Sequence, residues 1–253
     1  MMPGPAADQL PKRTKAWAVL LAAGSGGRLG GEVPKAFVEL DGRALLVWSL
    51  AALASSHAVA GVVVAAPPEH LRQTNALVAT AGFPGVLHVV AGGESRQESV
   101  RLSLEAVDAA TTAVICHDAA RPFASPGLFE RVLAALRPLS AGGDRPIHGA
   151  VPVIRSPDTV KRVGDGLVVE TIARAEVGLA QTPQAFTAST LRRVHADATN
   201  DDATDDASML EAAGYSVAAI DGEPANFKIT TPEDLVRAEQ LVRTRGAWED
   251  ARG

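Results

Sequence analysis

Five short apolar runs set the terms for this chain: AWAVLLAA (16–23), GVVVAA (61–66), GVLHVV (85–90), AVICH (113–117) and GAVPVI (149–154). Each has strand length and is apolar on both faces, so it must be covered from both sides. Between them lie LVWSLAALASS, ESVRLSLEAVDAA and GLFERVLAALRPL, with apolar residues at helical spacing. Strand and helix alternating in this way predict an α/β fold with a mostly parallel, helix-covered sheet. With 47% apolar residues among 253 a sizeable core is available, and with only 4% aromatics it has to be built from Ala, Val and Leu.

The pattern changes after Ile154. SPDTVKRVGDGLVVETIARA is polar and alternating, and VKRVGDGLVVETI reads as a hairpin with a glycine-containing turn. It does not fit a βα unit and reads as an arm, about 155–176, of the kind that embraces a partner subunit. The chain returns through QTPQAF, a helix, the run YSVAAID and NFKITTPEDLVRAEQLVRT, where Thr231 can cap a helix starting at Pro232. We expect one domain over 16–245, a disordered tail over 1–15 and a flexible end over 246–253. NDDATDDAS (200–208) lacks EF-hand spacing and reads as a helix N-terminus capped by Thr204 or Asp205, with a secondary role at a site left open.

Several classes are set aside. A net charge of -5 argues against a nucleic-acid binder. No run reaches the length of a membrane span. Lys12, Arg13 and Lys15 before AWAVLLAA mimic a signal peptide, but the apolar run is short and feeds a glycine loop, so the cytosol is expected. The single cysteine, Cys116, lies in an apolar run and is expected to be buried; it has no disulfide partner and belongs to no zinc pattern.

LLAAGSGGRLGGEVPKAF (20–37) carries the chemistry. A glycine-rich loop after a first strand lets backbone N–H groups approach phosphate oxygens. The P-loop template fails because Glu32 stands where its lysine belongs. The dinucleotide fingerprint fails because Leu29 takes the third glycine's place and the second strand ends in Ala65, Ala66 and Pro67 without an acid. What remains is a loop with two cations, Arg28 and Lys35. Either they are solvated surface charges, or they meet a triphosphate, whose chemistry depends on positioning and charge neutralisation.

LAAGSGGRLG followed by PKAF resembles the nucleotide loop of sugar-phosphate nucleotidyltransferases. With AGGESRQESV (91–100), HDAARPF (117–123), QTPQAF (181–186) and NFKITTPEDL (226–235), in this order, the chain resembles the 2-C-methyl-D-erythritol 4-phosphate cytidylyltransferase family of the non-mevalonate isoprenoid pathway. The resemblance runs from about Trp17 to Arg243. It implies a Rossmann-like nucleotidyltransferase domain with a projecting β-arm, CTP and methylerythritol phosphate as substrates, Mg²⁺ or another divalent cation, and a homodimer whose arms cross.

The resemblance also implies roles for residues. Ala22, Ala23, Gly24, Ser25, Gly26 and Gly27 would hold the triphosphate, with Arg28 and Lys35 stabilising the transition state. Gly92, Gly93, Glu94, Arg96 and Ser99 would form the second nucleotide segment; many relatives have Asp where Glu94 stands. Asp118, at the carboxyl edge of the sheet, would ligate the metal. Lys228 would touch the α-phosphate and the attacking phosphate, and Ala225 stands where the family often has an acid. Arg174 would reach across the dimer to the acceptor phosphate, with Arg121, Thr159 and Thr182 on the acceptor side. The nucleophile is an ionised phosphate oxygen that needs no base, so His117 reads as structural.

Two rivals stay open. Ribitol 5-phosphate cytidylyltransferase shares the loops, although Ala119 and Ala120 favour the methylerythritol enzyme. A non-catalytic CTP-binding regulatory protein would not need Arg28, Lys35, Asp118 and Lys228 together. An NAD-linked dehydrogenase fails on the displaced glycine and missing acid. Because the match fills the chain, a fused cyclase of the same pathway is not expected.

Overall fold

The computed structural model describes residues 16–24, 33–137, 146–199, 201 and 203–250. Its strands are β1 (Ala16–Leu21), β2 (Glu39–Leu40), β3 (Arg43–Ala44), β4 (Val59–Ala66), β5 (Val86–Ala91), β6 (Ala113–Asp118), β7 (Gly149–Arg155), β8 (Val160–Gly164), β9 (Leu167–Ile172), β10 (Gly178–Ala180), β11 (Gln184–Thr187) and β12 (Val217–Asp221). Its helices are α1 (Leu45–Ala54), α2 (Leu71–Thr80), α3 (Arg96–Ala106), α4 (Pro126–Ala134), α5 (Ala188–Asp197), α6 (Asp206–Ala212) and α7 (Pro232–Asp250). All five apolar runs form strands of one eight-stranded sheet.

Within that sheet β6, β1, β4 and β5 lie side by side and parallel, and β12 is parallel to β7. Two strands run the other way: β10 pairs antiparallel with β7, and β11 antiparallel with both β7 and β6. They follow one another along β7, broken at 181–183, where the chain turns through a cis Thr182–Pro183 peptide.

Alternation along the strands divides the core. Ala18 and Leu20 of β1, Val62 and Val64 of β4 and Ile115 of β6 face one layer with Leu50 and Leu53 of α1 and Leu128, Phe129 and Val132 of α4. Val19, Val63 and Cys116 face the other, with Val100 and Leu104 of α3, Leu191 of α5 and Leu210 of α6. Being wetted on neither face is why these strands read as unbroken apolar runs. A smaller cluster joins Leu40, Leu45, Phe123 and Ile229 to Ala238 of α7.

β8 and β9 form a separate two-stranded ribbon. Its tip places Asp165 at φ 49° and Gly166 at φ 77°, the left-handed pair that Asp-Gly supplies to a two-residue hairpin. The same dipeptide closes β2–β3, with Asp41 at φ 52° and Gly42 at φ 69°. Asp205 caps α6 by accepting from Ser208 N–H (3.0 Å), and Thr231 caps α7 by accepting from Asp234 N–H (3.3 Å). No proline interrupts α7, which continues through Asp250 and so extends into the stretch read as a flexible end. Residues 1–15 lie outside the described residues. Among the described residues no helix is long and apolar enough to cross a membrane.

Candidate functional site

A cavity of about 570 Å³ opens at the carboxyl ends of β1, β5 and β6. Ala22, Ala23 and Gly24 follow β1 along its wall, with Lys35 and Ala36 beside them. Ser25, Gly26, Gly27 and Arg28 lie outside the described residues. The opposite wall is the turn before α3: Gly93, Glu94, Ser95, Arg96 and Ser99. A Cβ on Gly92 would come within 2.4 Å of the Ala23 Cβ, so only glycine lets the two segments approach.

The α3 entrance is locally over-determined. Ser95 Oγ accepts from Glu98 N–H at 2.9 Å, and Glu98 Oε2 accepts from Glu94 N–H at 2.8 Å. Ser99 Oγ donates to Ser95 O (2.8 Å) and accepts from Gly93 N–H (3.1 Å). This pins an amide-rich helix start against the cavity, a setting that favours anions.

Asp118 ends β6 at the cavity floor. Its Oδ2 lies 2.7 Å from Lys228 Nζ, and its Oδ1 3.8 Å from Arg96 Nε. Burial alone would raise the Asp118 pKa; Lys228 and Arg96 outweigh that and hold it well below the usual carboxylate range. Arg96 also reaches away from the cavity, with Nη1 2.8 Å from Asp206 Oδ2.

Behind Asp118 sits a buried hydrogen-bond set. The Thr182 hydroxyl accepts from Asp118 N–H (3.0 Å) and donates to His117 Nδ1 (3.1 Å), leaving His117 Nε2–H to donate to Arg121 O (3.1 Å). Burial lowers the His117 pKa to about 4, so the ring is neutral and fits the structural reading of this residue. Asn226 Nδ2 donates to Thr182 O (2.8 Å), and Arg121 Nη1 donates to Asn226 O (2.9 Å).

The expected residues therefore separate into groups. Ala22, Ala23, Gly24, Lys35, Gly93, Glu94, Arg96, Ser99, Asp118 and Lys228 share the cavity, with Gly92 behind the α3 turn. Arg121 and Thr182 do not line it: Arg121 Nη1 and Nη2 donate to the backbone oxygens of Asn226 and Ala180 while its Nε has no partner, and the Thr182 hydroxyl is shared between Asp118 N–H and His117. Thr159 and Arg174 stay with the arm, where Arg174 Nη1 donates to Pro157 O (3.0 Å). Sequence reading missed Ser95 and Thr230 in the lining and Gln181, His195 and Asn226 behind it, and gave Asp206 no role of its own within 200–208. Ser95 had a signal, the S-x-x-E of a capping box; Gln181, Asp206 and Asn226 had none beyond their neighbours in QTPQ, TDDAS and NFK, and His195 had none.

For a divalent cation, the described residues hold no cluster of three or more His, Cys, Asp or Glu. Two carboxylates line the cavity, Asp118 at its floor and Glu94 on the α3 wall, too few for a protein-built cage and suited to an ion carried mainly by phosphate oxygens and water.

A sequence model of the family described as IspD, 2-C-methyl-D-erythritol 4-phosphate cytidylyltransferase, matches residues 16–244. The 2-C-methyl-D-erythritol 4-phosphate cytidylyltransferase of Rhodococcus opacus is 46% identical over 226 residues, covering 89% of this chain and 94% of the relative. The bifunctional enzyme IspD/IspF of Rhodospirillum rubrum is 42% identical over 233 residues, and there the match spans 92% of this chain but 58% of the relative. The chain thus spans little more than half the length of such two-function relatives. Among solved structures, the cytidylyltransferase of Thermus thermophilus is 39% identical with a TM-score of 0.69, covering 89% of this chain and 98% of that one. The 4-diphosphocytidyl-2C-methyl-D-erythritol synthase of Anaerococcus prevotii has a TM-score of 0.79 at 27% identity, covering 91% and 97%.

Proposed function

The chain belongs to the 2-C-methyl-D-erythritol 4-phosphate cytidylyltransferase family, and on that premise we propose that it transfers CMP from CTP to the phosphate of 2-C-methyl-D-erythritol 4-phosphate. The products are 4-diphosphocytidyl-2-C-methyl-D-erythritol and pyrophosphate. The observation that carries the reading is the convergence of Lys35, Lys228 and Asp118 on one cavity walled by the 22–24 segment and a helix start. Binding a nucleotide needs the loop and the helix start; two lysines across the same cavity add what charge build-up at a phosphorus requires.

The chain's own residues do the following. Backbone amides of the 22–24 segment and of the α3 turn hold the triphosphate and nucleoside. The acceptor phosphate oxygen attacks the α-phosphorus, the bond to the β-phosphate oxygen breaks, and pyrophosphate leaves. Lys35 and Lys228 hold the acceptor and α-phosphate together against their mutual repulsion and neutralise the charge that builds there, and Arg28 is assigned to the same task. Asp118 would hold Mg²⁺, which when bound supplies further neutralisation of the triphosphate.

The arm fits a homodimer. Val163, Leu167, Val168 and Val169 are 63–72% exposed on a ribbon that two strands alone stabilise poorly. A second subunit would cover them and bring Arg174 to an acceptor site. Both substrates are charged, water-borne molecules, which suits the cytosol.

The test is pyrophosphate release from CTP and Mg²⁺ with methylerythritol phosphate or ribitol 5-phosphate, in wild type and Lys35→Ala. Release with methylerythritol phosphate alone, lost in the variant, is expected. Release with ribitol 5-phosphate alone would change the acceptor, and release with neither would leave a CTP binder.

A further inference from the structure

One buried carboxylate has no part in the reaction as derived. Asp206 opens α6 with its side chain fully enclosed, 0% exposed. Its Oδ2 lies 2.8 Å from Arg96 Nη1, and its Oδ1 accepts from His195 Nε2 at 2.9 Å, with the His195 side chain only 1% exposed. Burial alone would raise the Asp206 pKa; Arg96 and His195 outweigh that and keep it below the ordinary value. Enclosing a charge this completely is costly, so its retention asks for a use.

The use lies at the other edge of the same guanidinium. Arg96 is 24% exposed toward the cavity and approaches Asp118 only loosely, 3.8 Å against the 2.8 Å it keeps with Asp206. The buried carboxylate has the close contact, and the cavity carboxylate the distant one. Take the Asp206 charge away and two things follow. The floor becomes one unit more positive, and Arg96 is released to close on Asp118. Both oppose a cation at Asp118 and both favour a polyanion above it, so the sign of the effect does not depend on how far Arg96 moves.

Resting on the cytidylyltransferase reading, we infer that Asp206, held by His195, is a positioning residue that anchors Arg96 away from Asp118 Oδ1 and keeps that oxygen open to a divalent cation, while Oδ2 faces Lys228. It touches neither substrate. It sets the charge balance of the floor so that one site can accept both a tetra-anionic nucleotide and a metal ion.

The experiment is direct binding without acceptor. CTP affinity is measured by calorimetry in EDTA, and Mn²⁺ affinity for the CTP-saturated protein by water-proton relaxation. Asp206→Asn is expected to weaken Mn²⁺ roughly tenfold while tightening metal-free CTP a fewfold, opposite signs that general damage to the fold does not produce. Adding Arg96→Gln restores the charge balance and is expected to return Mn²⁺ affinity to near the wild-type value. Where Asp206→Asn does not fold, His195→Ala removes a donor to the carboxylate and is expected to weaken Mn²⁺ and tighten metal-free CTP as Asp206→Asn does, by less. Mn²⁺ affinity within about twofold of wild type, or both affinities weakened together, overturns the inference while CTP binding by wild type still stands. Failure of wild type to bind CTP overturns both readings.

Discussion

Lys228 Nζ sits 2.7 Å from Asp118 Oδ2, although the two residues are brought together by the last loop and a central strand. The pair crosses the cavity floor, half-exposed on the lysine side and enclosed on the carboxylate side. A lysine held by a carboxylate is aimed, and a phosphate arriving above it meets a fixed charge instead of a flexible one.

Lys228→Ala is therefore expected to lower kcat by about 10²–10³, the range seen when one transition-state donor is removed. The melting temperature should stay within a few degrees, because the ion pair is partly wet. Steady-state pyrophosphate release and thermal melting check both; a kcat within threefold of wild type would refute the role.

Thr182→Val keeps the shape of the side chain and strands two buried groups, Asp118 N–H and His117 Nδ1. We expect a stability loss of about 1–3 kcal/mol and a fall in turnover, both recovered in Thr182→Ser. Denaturant unfolding and turnover of the two variants decide it. If Thr182→Val lost turnover with full stability, the hydroxyl would instead be acting on the acceptor.

Paired substitution of Leu167 and Val168 by Asp on the arm is expected to weaken self-association at least about tenfold per site. CTP affinity should change little, since no arm residue lines the cavity, while turnover at low protein concentration should collapse. Sedimentation equilibrium and concentration-dependent assays read this directly.

Glu223 joins the segment after β12 to the start of α4, accepting from the Ser125 hydroxyl and backbone N–H and from Arg131 Nη2. Burial would raise its pKa; these donors outweigh it and lower it below the ordinary glutamate value. A carboxyl with a lowered folded pKa contributes stability that is present above about pH 4.5 and is lost as pH falls through the folded value. Glu223→Gln should thus cost about 1 kcal/mol at pH 7, with the gap closing toward pH 4 and below. Unfolding curves across that range test it; a gap independent of pH would mean the charge is irrelevant.

The core was legible in the chain because strands buried on both faces have no choice but to look apolar throughout. The glycine loop and the HDAARP and NFK segments pointed to one cavity because their residue types are unusual unless something charged is bound. The reversed direction of β10 and β11 was not legible: both strands are short, and the Pro183 between them reads as a loop. Nor was the floor behind Asp118. Arg96 and Asp206 are 110 positions apart and meet only after α3 and α6 pack on the same face, so nothing in either neighbourhood announces the other. The contacts by which Arg121 and Thr182 hold backbone at 226 and 118 were not legible either.

The break in the sheet at 181–183 has a consequence for how such a chain can vary. Thr182 reaches Asp118 only because β10 and β11 keep their register against β7 on either side of the break. One residue inserted between Gly178 and Pro183 would slide the hydroxyl by about 3.3 Å, past hydrogen-bond reach. One residue inserted at the Asp165–Gly166 tip would be absorbed in open solvent. The loop at the tip can thus lengthen, while the count of residues at the arm's root is fixed by the Asp118 backbone N–H that Thr182 holds.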